Sequence, residues 1–210
     1  MFPPLYPILD VKENPEEILP LADALAAAGV ALLQIRAKKH SAGDLLRSAR
    51  QISARLQPRG VKIVVNDRPD VALLAGASGV HVGQHDLPVE DARKLSGPAL
   101  WVGVSTHNAD QLRAAASTSA DYIAVGPVFP TGTKENPDPV VGLEFLRLAR
   151  AATKKPLVAI GGITVESAEA VFRAGADSVA VIRDLSSADD PGSRARAYLE
   201  IAARVCSSRS

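Results

Sequence analysis

The chain has 210 residues, enough for one sizeable core, with 47% hydrophobic and 22% charged residues, values ordinary for a soluble globular protein. Its 24 basic and 23 acidic residues leave a net charge of +1, which removes the bulk electrostatic case for nucleic acid or an anionic membrane as partner. No apolar run approaches a membrane span, Met1-Phe2-Pro3-Pro4-Leu5 lacks the regions of a signal peptide, and the lone Cys206 builds neither an internal disulfide nor a thiolate metal site, so a cytoplasmic protein is expected.

Short apolar runs rich in β-branched residues alternate with helical patterns along the whole chain. The runs are Leu5 to Leu9, Ala31 to Ile35, Val61 to Val65, Gly79 to Val82, Leu100 to Val104, Tyr122 to Val125, Leu157 to Ile160 and Ser178 to Ile182. Between them Ile18, Leu21, Ala22 and Leu25 recur at helical spacing, as do Leu45, Ala49, Ile52 and Leu56, then Val165, Ala168 and Phe172. Asn14-Pro15-Glu16-Glu17, Ser41 with Asp44, Arg68-Pro69-Asp70, Asn108 with Asp110, and Thr164 with Glu166 suit helix starts. Small residues before several strands (Ala28-Gly29, Gly76-Ala77-Ser78-Gly79, Ser119-Ala120, Ala174-Gly175-Ala176) mark the αβ joint of one repeating unit. Such alternation predicts a parallel sheet covered by helices, and eight units favour an α/β fold of the single-domain (β/α)8 barrel type over 1–210.

A barrel of this kind carries its site at the C-terminal strand ends, and polar groups gather there. The second run ends Gln34-Ile35-Arg36-Ala37-Lys38, whose alternate residues Gln34, Arg36 and Lys38 face the barrel mouth, where two cations call for an anionic ligand to meet them. The third ends Asn66-Asp67-Arg68 and the fourth Gly83-Gln84-His85-Asp86. Asp67 and Asp86 suggest Mg²⁺, which takes few protein carboxylates and completes its shell with water and phosphate oxygens. His81 and His85 have the spacing of a helix face but span a strand and its loop, a poor zinc site. After the fifth strand Ser105 is a donor to an anion, while His107 is either a helix-start residue or a site group. The sixth runs into Gly126-Pro127-Val128-Phe129-Pro130-Thr131-Gly132-Thr133-Lys134, a braced loop in which Thr131 and Thr133 offer hydroxyls, Gly132 close backbone approach and Lys134 a compact charge for a phosphate. Gly161-Gly162 after the seventh strand, beside Ile182 and Arg183 after the eighth, occupy the usual barrel phosphate position.

Taken together, Gln34 to Lys38, Asn66 to Arg68, Gly79 to Asp86, Gly103 to His107, Gly126 to Lys134 and Ala159 to Ile163 resemble the thiamine phosphate synthase family along nearly the whole chain. The resemblance implies a transferase of thiamine biosynthesis that joins hydroxymethylpyrimidine pyrophosphate to thiazole phosphate with Mg²⁺. It implies that Gln34, Arg36, Lys38, Asn66, Ser105 and Lys134 bind the pyrimidine pyrophosphate, with Arg36, Ser105 and Lys134 nearest the chemistry, and that Asp67 and Asp86 hold the metal. Thr131, Gly132, Thr133, Gly162, Ile182 and Arg183 would take the thiazole phosphate. Arg183 is a departure, since serine is common at that place.

Two other readings use the same barrel. A related thiazole tautomerase shares the thiazole phosphate pocket without the pyrophosphate set, and a non-catalytic barrel would only sense a phosphate ligand. The presence of Arg36, Lys38, Asp67, Asp86 and Lys134 favours the synthase. Small-molecule substrates are the expected partners, with neither nucleic acid nor membrane, and a homo-oligomer is compatible with the sequence.

Overall fold

All eight apolar runs are strands: β1 (Leu5–Asp10), β2 (Leu32–Arg36), β3 (Lys62–Asn66), β4 (Gly79–Val82), β5 (Trp101–Thr106), β6 (Tyr122–Val125), β7 (Leu157–Ile160) and β8 (Ser178–Val181). The structure, a computed structural model, describes residues 2–11, 18–132 and 138–207. Every strand pairs in parallel with its sequence neighbour, and β1 also pairs with β8, bringing Leu5 opposite Val179, so the sheet closes as a barrel in the order β1 to β8. Several strands continue beyond the apolar stretch into polar residues, as β2 does to Arg36 and β5 to Thr106. Backbone pairing continues for as long as the neighbour offers N–H and C=O groups, whatever the side chain.

The helices α1 (Ile18–Ala27), α2 (Ala42–Leu56), α3 (Pro69–Leu74), α4 (Val89–Ser96), α5 (Ala109–Ala116), α6 (Gly142–Ala152) and α7 (Val165–Arg173) return the chain between strands. After β8 come the short α8 (Arg183–Ser186) and the long α9 (Pro191–Ser207), which packs against α7, α1 and β1. The expected start signals at Ser41 and Asn108 act as caps: Ser41 Oγ accepts from the Asp44 N–H at 3.1 Å and Asn108 Oδ1 from the Gln111 N–H at 3.0 Å. Pro69 opens α3, and at α7 the Thr164 N–H donates to Ser167 Oγ at 3.0 Å. The start signal at residues 14–17 lies outside the described residues. Among the described residues no helix is long and apolar enough to cross a membrane.

Two apolar layers result from the strand alternation. Outward residues such as Leu33, Ile35, Ile63 and Val65 join Leu45, Ala49, Ile52 and Leu56 of α2 in the layer beneath the helices. Inward residues Tyr6, Ile8, Leu32, Val64, Tyr122, Ala124, Val158 and Ala180 fill the lumen. Phe2 reaches under this layer, its ring 5.4 Å from that of Trp101 and 5.0 Å from that of Tyr122. The Lys62 ammonium lies 4.7 Å over the Trp101 ring.

Gly103 of β5 faces inward beside Tyr122. A Cβ at Gly103 would lie 2.0 Å from Cζ of the buried Tyr122 ring and 2.4 Å from its hydroxyl oxygen. The absence of a side chain on one strand makes room for an aromatic ring from the next. Gly103→Ala is therefore expected to lower stability by about 2 kcal/mol or more through overpacking, read as a fall in the urea unfolding midpoint. An unchanged midpoint would show that the lumen yields.

Candidate active site

The strand ends on the C-terminal side of the barrel surround a cavity of about 760 Å³. Gln34, Arg36, Lys38, Asn66, Asp67, Asp86, Ser105, Thr131, Gly132, Gly162, Ile182 and Arg183 all line it, although more than 140 residues of sequence separate the first from the last. Of the residues singled out from sequence, Thr133 and Lys134 lie outside the described residues. His85 and His107 also line the cavity.

On one side β1 to β4 assemble the charges. Asp10 and Arg36 are cross-strand partners in the register of β1 with β2, and Arg36 Nη1 donates to Asp10 Oδ1 at 2.5 Å. Lys38 Nζ lies 2.9 Å from Asp67 Oδ2. The sequence-based expectation that these two cations need an external anion is corrected here: each has a carboxylate of its own, because parallel pairing carries the ends of β1 and β3 alongside the end of β2. Asp10 is a residue the sequence reading missed. An acidic residue closing the strand next to one that closes in arginine was the available signal.

Asp67 pairs neither with Arg68, which takes Asp70, nor with a helix N-terminus. Its backbone has φ +62°, a left-handed conformation that costs a non-glycine residue of order 1 kcal/mol. The turn is held by its N–H, which donates to the His81 carbonyl at 2.7 Å. Burial raises the Asp67 carboxyl above the usual carboxylate range, the nearby Asp86 carboxylate adds to that, and Lys38 opposes it. Asp86 Oδ2 in turn accepts from the Gly83 N–H at 2.8 Å. Asp67 thus has a second carboxylate beside it and Lys38 as its ion-pair partner.

The opposite side is backbone. The Val128 N–H donates to the Ile160 carbonyl at 2.8 Å and the Phe129 N–H to the Gly161 carbonyl at 3.0 Å, laying the loop after β6 along the end of β7. Gly162 has φ +65°, and a Cβ there would come within 2.4 Å of the Pro130 carbonyl oxygen, so only glycine permits that approach. Arg183 extends from the end of β8 over Gly132, with Nη2 3.1 Å from where a Cβ would stand. His107 Nδ1–H donates to the Gly126 carbonyl at 2.6 Å, fixing the root of the same loop.

Beneath the mouth runs a polar chain. Gln34 Nε2 donates to Tyr6 Oη at 2.9 Å, Tyr6 and Tyr122 share a hydroxyl contact of 2.8 Å, Tyr122 Oη lies 3.0 Å from His81 Nδ1, and His81 Nε2 lies 2.8 Å from Ser105 Oγ. Burial pushes both tyrosine hydroxyls up, so they stay protonated, and holds the His81 imidazole down to about 4, so it is neutral at pH 7. From sequence His81 is no more than a poor zinc ligand, and Tyr6 and Tyr122 carry no functional signal. Their contact spans 116 residues and leaves no local pattern.

Residues 5–185 match the family model described as thiamine monophosphate synthase. The chain is a member of the thiamine monophosphate synthase family. The thiamine-phosphate synthase of Koribacter versatilis is 51% identical over 204 residues, covering 95% of both chains, and that of Albidiferax ferrireducens is 46% identical, covering 81% of this chain and 80% of its own. The thiamine phosphate pyrophosphorylase structure from Pyrococcus furiosus superposes with a TM-score of 0.84 at 30% identity, covering 96% of each chain. This family member is a thiamine-phosphate synthase, a transferase of thiamine biosynthesis, and neither the tautomerase nor the ligand-sensing alternative gains support from these relatives.

The low pKa of His81 links the site to stability. Unfolded, an imidazole takes up a proton near pH 6.5, whereas folded His81 resists protonation down to about pH 4. The unfolded chain then binds more protons in that window, so stability falls as pH falls from about 6.5 to about 4. His81→Gln should flatten this part of the Tm-versus-pH curve. Parallel curves for the two proteins would refute a neutral, buried His81.

Proposed function

We propose that the chain makes thiamine phosphate by letting pyrophosphate leave a hydroxymethylpyrimidine diphosphate before the nitrogen of a thiazole phosphate attacks the methylene carbon. The observation that supports this most is one cavity with two unlike sides, a charged one from β1 to β4 and a glycine-lined one from β6 to β8, to which the two anionic substrates are assigned. Two phosphorylated substrates are thereby held facing each other, and positioning of this kind contributes much of the rate in a bimolecular substitution.

Gln34, Arg36, Lys38, Asn66, Ser105 and Lys134 are assigned to the diphosphate substrate, and Arg36, Ser105 and Lys134 to the departing pyrophosphate itself. Charge neutralisation on the leaving group does the chemical work, so no protein nucleophile is required. Thr131, Gly132, Thr133 and Gly162, with Ile182 at the start of α8, are assigned to the thiazole phosphate. The Arg183 guanidinium, standing over Gly132, adds a charge-assisted contact to that phosphate.

Asp67 and Asp86 suit a magnesium ion. They offer hard oxygen donors, and burial with the neighbouring Asp86 carboxylate holds the Asp67 carboxyl above its usual range, a position a cation would relieve; magnesium takes few protein carboxylates and fills its other positions with water and substrate oxygens. Magnesium bound there would neutralise charge on the departing diphosphate. Lys38, whose Nζ lies 2.9 Å from Asp67 Oδ2, would stand between the carboxylates that would hold the ion and the diphosphate it would neutralise.

The direct test mixes the two phosphorylated precursors with Mg²⁺ and measures thiamine phosphate. Asp67→Ala and Lys134→Ala should each reduce turnover on the order of a hundredfold or more with unchanged circular dichroism, and full activity in both would remove the assignment. Stability supplies a separate check. Because the folded state raises the Asp67 carboxyl, its ionised form costs stability above the unfolded carboxylate range. At pH 7, Mg²⁺ should raise the Tm of the parent but not of Asp67→Asn, while metal-free Asp67→Asn should be no less stable than the parent. A metal-dependent Tm rise in Asp67→Asn would place the cation elsewhere.

A further inference from the structure

We propose that His81 is a positioning residue, held as its Nε2–H tautomer by the hydroxyls of Tyr6 and Tyr122, and that it turns the proton of Ser105 toward an anionic oxygen of the bound diphosphate ester. This rests on the functional reading above for the identity of the ligand, though not for the tautomer.

The direction of the chain follows from counting donors and acceptors. Tyr6 Oη receives the N–H of Gln34, and within the described residues its own proton has one acceptor in reach, Tyr122 Oη. With that lone pair engaged, the Tyr122 proton goes to His81 Nδ1, its other neighbour at 3.0 Å. An imidazole that accepts at Nδ1 and stays neutral carries its proton on Nε2, and Nε2–H then donates to Ser105 Oγ at 2.8 Å. Every proton in the buried run has been placed except one, the hydroxyl proton of Ser105. Ser105 is only partly buried and borders the cavity, so that proton is left for a ligand. Reversing the Gln34 amide would reverse each bond in turn and leave Ser105 donating inward to His81, with nothing to offer the substrate.

A charged imidazole would donate at both nitrogens and break the order at Tyr122, so the run as a whole fits one accepting and one donating nitrogen on His81. Tyr6 and Tyr122 are anchored on β1 and β6 and Ser105 on β5, so the run ties together strands on different sides of the lumen. A single interruption is felt at its open end.

Two experiments decide it on the full chain. In protein labelled with ¹⁵N-histidine, two-bond ¹H–¹⁵N correlations, with His81 assigned by its loss in His81→Gln, should show the Nε2–H pattern at pH 7; the Nδ1–H pattern overturns the proposal whatever the enzyme's activity. Kinetically, His81→Phe should lower kcat roughly tenfold or more with less than about a threefold change in KM for the diphosphate substrate. His81→Gln, whose amide can accept from Tyr122 and donate to Ser105, should recover most of that loss. In the Ser105→Ala background, His81→Phe should do no further damage, whereas multiplying losses would mean that His81 acts independently of Ser105 and would overturn the proposal. The same non-additivity should appear in calorimetric binding of inorganic pyrophosphate with Mg²⁺. If the parent makes no thiamine phosphate, the functional reading falls, while the tautomer and the pyrophosphate cycle still judge this one.

Discussion

The pairing of β1 with β8 is the constraint on which the rest of the molecule depends. An open sheet of eight parallel strands would leave two unpaired edges and spread the strand ends along a line. Closure removes the edges and brings those ends around one rim. The Val179 N–H donates to the Pro4 carbonyl at 3.0 Å at the start of that seam, and α9 packs alongside it against α7, α1 and β1. Once the ring is shut, strand alternation decides the remainder: one set of side chains enters the layer under the helices, the other enters the lumen and, at its upper end, the site.

Among the described residues, the two cations at the end of β2 are each paired with a carboxylate. Arg36 has Asp10 and Lys38 has Asp67, so the cost of gathering cations in a cavity is met by carboxylates from neighbouring strands. Asp67 also has the Asp86 carboxylate beside it, which with burial holds its carboxyl above the usual range. The glycine side is different in kind: the backbone approaches closely at Gly162, and the Arg183 guanidinium reaches over Gly132. The two sides of the cavity thus differ in what they present, charged side chains on one and closely approached main chain with the Arg183 guanidinium on the other.

Much of this was legible in the sequence because it is local. Apolar runs such as Val61 to Val65 marked the strands, Ser41 and Asn108 marked helix starts, and the alternation of Gln34, Arg36 and Lys38 showed which residues share the mouth. What escaped was pairing at a distance. Nothing near Arg36 announces Asp10, and nothing near His81 announces Tyr122, because strand pairing brings the first two together and the side-chain-free Gly103 of the intervening strand lets the second two meet. The helix α9 escaped for another reason: its buried face includes Ala195 and Ala202 alongside Tyr198 and Val205, a stripe too thin to stand out from its polar surroundings.

The crowding of Gly103 against the Tyr122 ring has a consequence for divergence within the family. Neither position can enlarge by itself, since a ring from β6 occupies the volume that a side chain on β5 would need. Homologues that carry a bulkier residue in place of Gly103 should carry a smaller one in place of Tyr122, and in doing so they would lose the hydroxyl that reaches His81. The two columns of an alignment should drift together, and the histidine's company should change with them.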